Sequence, residues 1–234
     1  MIHELSEGTV YVWQIPLLPH RPMSHYRAAL IPEELSRADQ FRFDVHRERW
    51  TVCRATARNI LKMCLPNQVE PIVIEYGDNG KPYLKEYRDL HFNISHSKDS
   101  ALLAITKTGP IGVDIERTDR NIDLLRLSKR FFAPSEQEVL AAVAEYDRKD
   151  AFFKIWSRKE AYIKCSGQGL RIPLSSFAVN ISNEQPQILQ HNKDISTDQW
   201  QLHHLDVVGD FRAACITSVP DTLVKFQQYT SPIF

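Results

Sequence analysis

The spacing of apolar and polar positions predicts short strands arranged around two long helices. Thr9 to Leu17 fits a first strand, closed off by Pro16 and Pro19. Ile31-Pro32-Glu33-Glu34 opens a helix, with proline and acids in its first turn. From about Asp44 to Leu65, Val45, Val52, Cys53, Ala57, Ile60, Leu61 and Cys64 recur with helical period. The other face of that helix carries Arg42, Arg47, Arg49, Arg54 and Arg58, a pattern usual for a solvated surface. Strands follow at Pro71–Tyr76, at His91–Ile94 running into Ser95-His96-Ser97, and at Ala101–Thr106. The turn at 77–82 holds two glycines.

The second half repeats this order loosely. It opens on a strand, Ile111-Gly112-Val113-Asp114-Ile115-Glu116. Helical segments follow near 123–130 and 135–146, then a long helix from about Asp150 to Cys165 that stops near Gly167 and Gly169. Strands are expected near Phe177–Ile181, Gln199–Val207, Phe211–Ser218 and Val224–Tyr229. No sequence repeat is detectable. The pattern describes an α+β protein of two halves, 1–108 and 109–234, with Lys107–Pro110 as the short link. Two halves packed together create a cleft, a common place for a ligand.

The chemistry concentrates on one strand and one helix. Asp114 and Glu116 share a strand face, with Val113 and Ile115 on the other. Trp156, Glu160 and Lys164 recur every fourth residue and share a helix stripe. If that stripe packs near the strand, three carboxylates and a lysine converge. Carboxylates brought together raise one another's pKa, and a hard divalent cation such as magnesium relieves the repulsion. Magnesium also takes substrate phosphates into its shell, which points to an enzyme handling a phosphate or pyrophosphate. The plain alternative is a wet strand face and an ordinary surface pair of Glu160 with Lys164. Two details count against it. Trp156 lies on the same stripe, and Gly112 leaves the carboxylate face without a side chain where a ligand or backbone could come close.

Composition narrows the rest. A 43% hydrophobic and 25% charged chain of 234 residues is that of a soluble globular protein. Its formal net charge of zero gives no general attraction to nucleic acid or an anionic membrane. The nine histidines and four scattered cysteines form no zinc-spaced cluster. Cys53 and Cys64 fall on one helix and should face the core, as suits a reducing cytoplasm. No basic-then-apolar leader is visible, and no apolar run is long enough to span a bilayer.

Taken in order, several blocks resemble the surfactin-type (Sfp-type) 4′-phosphopantetheinyl transferases. They are Gly80-Lys81-Pro82, Phe92-Asn93-Ile94-Ser95-His96-Ser97, Gly112-Val113-Asp114-Ile115-Glu116, and Trp156-Ser157-Arg158-Lys159-Glu160 with Lys164. Lys129-Arg130-Phe131-Phe132 followed by Ser135-Glu136 fits as well. Each block alone is weak; their shared order and spacing between about 40 and 175 is specific.

The resemblance implies transfer of the phosphopantetheinyl arm of coenzyme A to a serine of an apo acyl or peptidyl carrier protein, releasing adenosine 3′,5′-bisphosphate. It implies two similar halves in pseudo-twofold arrangement, the active site in the cleft between them, and a monomer. It puts Asp114, Glu116 and Glu160 at a magnesium (or manganese) ion and Lys164 at the pyrophosphate. Glu160 is in addition a candidate base for the carrier serine. Arg49, Lys81, Pro82, Ser95 and His96 fall at nucleotide positions, His96 near the 3′-phosphate. Phe131 and Phe132, with Lys129 and Arg130, match the carrier-docking region, although a core role fits Phe132 equally well. One departure stands out. Some members carry two lysines on the early helix, where Ser36 and Asp39 stand here with only Arg37 basic nearby. Two other functions use the same residues: a magnesium-dependent coenzyme A or nucleotide pyrophosphatase, and a non-catalytic carrier-binding module.

Overall fold

The structure, a computed structural model, describes residues 5–65, 71–189 and 199–230. The first half runs β1 (Thr9–Pro16), α1 (Met23–Ala28), α2 (Pro32–Asp39), α3 (Asp44–Cys64), β2 (Ile74–Tyr76), β3 (Pro82–Leu84), β4 (His91–Ser97) and β5 (Ser100–Thr106). The second runs β6 (Ile111–Arg117), α4 (Leu124–Phe131), α5 (Pro134–Ala142), α6 (Glu145–Ser166), β7 (Ala178–Val179), β8 (Ile188–Leu189), β9 (Gln201–Leu205), β10 (Phe211–Thr217) and β11 (Leu223–Gln228).

The halves share a topology. Each has a strand, a long helix, a small hairpin and two more strands. The sheet orders match: β1-β5-β4 in one half and β6-β10-β9 in the other, each with the last strand in the middle. β11 then returns to pair parallel with β1, completing the four-stranded sheet β11-β1-β5-β4. This is the α+β architecture of two similar halves expected from the order of elements.

Strand alternation sorts the side chains into three cores. Tyr11, Trp13 and Ile15 of β1, with Leu103 and Ile105 of β5, face α3. Val10, Val12, Leu102 and Ala104 turn the other way and meet Val113, Ile115, Ala213 and Cys215 of the second sheet. The opposite face of β10, Ala214 and Ile216, packs beneath α6. The layers are therefore helix, sheet, sheet, helix.

The sheets also join at one edge. Asn93 Oδ1 accepts from the Val113 N–H at 3.0 Å and Ser97 Oγ from the Arg117 N–H at 3.1 Å. Side chains of β4 thus satisfy donors that the outer edge of β6 would otherwise leave unpaired.

Four boundaries differ from the sequence expectation. The strand expected from Pro71 is confined to 74–76; proline has no N–H to give to a ladder. The helix expected over 135–146 stops at Ala142, where Val143 and Ala144 are extended, and α6 begins at Glu145 rather than near 150. Phe177 lies outside β7, in the core below α6.

Candidate active site

Gly112 sets how closely helix and strand approach. A Cβ there would lie 2.1 Å from Ala161 O and 2.5 Å from Cys165 N, so α6 can rest on β6 only over a residue without a side chain. That contact brings the helix stripe over the acidic strand face. Lys164 Nζ donates to Asp114 Oδ1 at 2.6 Å and to Ser95 Oγ at 2.8 Å. The Ser95 hydroxyl donates to the same Asp114 oxygen at 2.8 Å. Asp114 is only 3% exposed, and its Oδ2 is buried with no hydrogen-bond partner.

Glu116 lies two residues along the strand and is half-buried. Its Oε2 accepts from Ser97 Oγ at 3.0 Å and from Arg120 Nη2 at 2.6 Å. Burial, and then the charge of Asp114, raise its pKa to about 7. Glu160 is half-buried, and the same two causes in the same order raise it as well. The charge of Asp114 therefore acts against ionisation of each of the other two acids. Their oxygens are the hard donors that suit magnesium, and the orphaned Oδ2 of Asp114 has capacity for a cation. Among the described residues, no three acidic, histidine or cysteine side chains are gathered tightly enough to hold an ion as they stand. Glu116 is engaged by Arg120 instead.

Beside this cluster lies a cavity of about 290 Å³. Trp50, Cys53 and Arg54 of α3 form one wall. Tyr76 and the 79–82 turn form a second, and Asn93, Ile94 and His96 of β4 a third. Ile163, Lys164 and Gly167 bring the end of α6 to it. Lys164 therefore faces the cavity and the acids together. His96 borders the cavity with its side chain still open to solvent, and partial desolvation there, helped by the charge of Lys164, lowers its pKa. Lys81 and Pro82 line it too. The Lys81 ammonium donates to Cys165 O at 2.7 Å.

Not every expected residue gathers here. Arg49 is half-buried and is not among the cavity-lining residues; Ser95 lies below the cavity, bonded to Asp114. Phe132 is 1% exposed and stacks on Phe152, which makes it a core residue and corrects its candidacy as a docking anchor. Phe131 packs edge-on against Trp156, while Lys129 and Arg130 are exposed. Trp50, Arg54 and Tyr76 were missed as wall residues. Arg54 lies on the helix face whose arginine pattern suggests solvated surface, yet it is bonded to buried Glu34.

Other motif residues hold the scaffold. Arg158 and Lys159 point away from the acids. Arg158 donates to Asn180 O and, at 2.7 Å, to Ser182 O. Lys159 Nζ meets Glu136 Oε2 at 2.8 Å and Leu174 O at 2.7 Å. Glu136 also accepts from the Ala133 and Val179 N–H groups, both at 2.8 Å. The pair ties α5, α6 and the segment after α6 together.

Comparison with known proteins identifies the family. Residues 19–108 match the N-terminal 4′-phosphopantetheinyl transferase family model, and residues 110–216 match that of the 4′-phosphopantetheinyl transferase superfamily. The 4′-phosphopantetheinyl transferase HetI of a Nostoc species is 35% identical over 219 residues, covering 92% of this chain and 88% of that protein. The transferase Sfp of Bacillus subtilis is 31% identical over 169 residues, covering 70% of this chain and 74% of the relative. Among solved structures, a holo-(acyl-carrier-protein) synthase of Bacillus anthracis in complex with coenzyme A aligns with a TM-score of 0.38 and 20% identity, over 46% of this chain and 92% of that one. The chain belongs to the 4′-phosphopantetheinyl transferase superfamily, in its Sfp-type branch.

Proposed function

We propose that the chain carries out its family's transfer of phosphopantetheine from coenzyme A to a carrier-protein serine through the Asp114 cluster, with magnesium, releasing adenosine 3′,5′-bisphosphate. One observation carries this reading: buried Asp114 has one oxygen shared by Lys164 and Ser95 and the other without a partner, and the Lys164 that it holds lines the cavity. Asp114, Glu116 and Glu160 would hold a magnesium or manganese ion, which supplies positive charge to the pyrophosphate. Lys164 stabilises the charge that grows on the leaving phosphate. The raised pKa of Glu160 suits it to accept the serine proton when it is not a metal ligand.

The nucleotide contacts come chiefly from the 1–108 half, with Trp50 and Tyr76 as flat walls for the base and His96 at its phosphate. Arg49 acts from outside the wall. The 109–234 half carries the metal site and the carrier dock. Leu125, Arg126, Lys129 and Arg130 are exposed together on α4 and suit an acidic carrier helix. No helix among the described residues is long and apolar enough to cross a membrane. The four cysteines are free and buried, which suits a reducing cytoplasm, and one chain that supplies both halves suits a monomer.

Incubation with coenzyme A, magnesium and an apo carrier tests the proposal. A carrier heavier by one phosphopantetheine is the expected product. Coenzyme A cleaved without carrier would favour a pyrophosphatase, and carrier binding with neither reaction a docking module.

A further inference from the structure

The turn between β2 and β3 belongs to the first half, yet it reaches the end of the second half's long helix. Asn79 Nδ2 donates to Gly167 O at 2.8 Å, and Lys81 Nζ to Cys165 O at 2.7 Å. The last carbonyls of a helix lack intrahelical partners and carry partial negative charge, so an amide donor and a cation both suit them. The packing is close. Gly167 ends α6 with φ of +68°, and a Cβ there would lie 3.6 Å from Lys81 Cδ. A Cβ on Gly169 would lie 3.8 Å from Asn79 Cβ. On the other side the same turn of helix is held by Gly112 of β6 and by a bond from Cys165 Sγ to the carbonyl of Pro110, just before that strand, at 3.2 Å. Lys164 lies within this doubly held turn, and its ammonium must meet Asp114 and Ser95 together.

We propose that Asn79 and Lys81 are positioning residues: a strut from the first half that fixes the last turn of α6 and so places Lys164 for transfer. The inference rests on the function proposed above for Lys164. It gives the Lys81 ammonium a task on the helix end, in place of the nucleotide contact that the sequence resemblance implies.

Catalysis is sensitive to small displacements of a charged group, so loosening the strut should act on turnover. The test uses the full chain with Asn79→Ala, Asn79→Asp, Lys81→Met and Lys81→Arg. Hydrogen exchange at residues 163–168 should accelerate about tenfold or more in the first three variants, with the β-sheet core unchanged. Lys81→Arg, which keeps the charge, should restore part of the protection. In single-turnover transfer, Asn79→Ala should lose roughly 3–10-fold in rate, and that loss should vanish when Lys164 is already alanine. Discrimination between coenzyme A and its 3′-dephospho form should be unchanged in Lys81→Met. Wild-type protection at the helix end in Asn79→Ala and Lys81→Met would overturn the proposal. So would rate effects of Asn79→Ala and Lys164→Ala that simply multiply, or discrimination lost in Lys81→Met. If the wild type transfers nothing, the functional reading fails, while the exchange measurement still decides whether the strut exists.

Discussion

Asp114 is the residue on which the site's electrostatics turn. It fixes Lys164 and Ser95 and raises both neighbouring acids. Asp114→Ala should therefore abolish phosphopantetheine transfer. It should leave the cooperative unfolding transition in place, because the side chain faces the helix end and not an apolar core. Near wild-type turnover would remove Asp114 from the mechanism. His96 makes a different kind of contribution. It borders the cavity without touching the acids' hydrogen bonds, so His96→Ala should raise the KM for coenzyme A and leave kcat close to wild type. The expected cost is about 1.5–3 kcal/mol, the worth of a hydrogen bond to a charged group. Arg49→Ala should cost less, since Arg49 is not on the cavity wall. Equal discrimination against 3′-dephospho-coenzyme A in wild type and His96→Ala would show that His96 does not read that phosphate.

Helix α6 divides its labour by face. Trp156, Glu160 and Lys164 run along one stripe, while Arg158 and Lys159 are buried on others and hold carbonyls of the following segment. Lys164→Ala should lower kcat by ~10²–10³, as for other preorganised electrostatic stabilisers. The KM for coenzyme A should rise much less, because leaving-group charge develops only as the phosphorus–oxygen bond breaks. Lys164→Arg should recover part of the rate, its planar fork replacing a compact charge imperfectly. Steady-state kinetics over coenzyme A and magnesium separate these terms. Unchanged kcat in Lys164→Ala would return the Asp114 pair to a structural salt bridge. The stripe was legible beforehand because a helix repeats locally every 3.6 residues. The buried role of Lys159 was not, since its partner Glu136 lies on another helix, 23 residues earlier.

Across the molecule, the second sheet carries an acid-sensitive point. His203 on β9 has its Nε2 buried without a partner, and burial lowers its pKa to about 4. The unfolded chain holds a histidine proton below about 6.5, so between about pH 6.5 and 4 the unfolded state binds more protons at this position. Its contribution to stability is complete above that range and is lost as pH falls through it. Denaturant unfolding of wild type and His203→Gln should therefore converge or cross on acidification, by roughly 2–3 kcal/mol relative to their difference at pH 8. A pH-independent difference would mean the ring is not held neutral. What the sequence determined by itself was whatever a short-range period carries. It gave the strand faces of Asp114 and Glu116, the Trp156–Glu160–Lys164 stripe, two halves of like element order, and motif blocks whose spacing marks a family. Only the tertiary structure decided which faces meet. Gly112 admits the backbone of α6 and not a ligand, and Asn93 and Ser97 close the edge of β6. Phe132 goes to the core and Arg54 to the cavity wall. Asn79 finds a partner 88 residues away. Periodicity fixes the direction of a side chain relative to its own backbone, whereas its partner depends on how separate elements pack, and no local pattern encodes that.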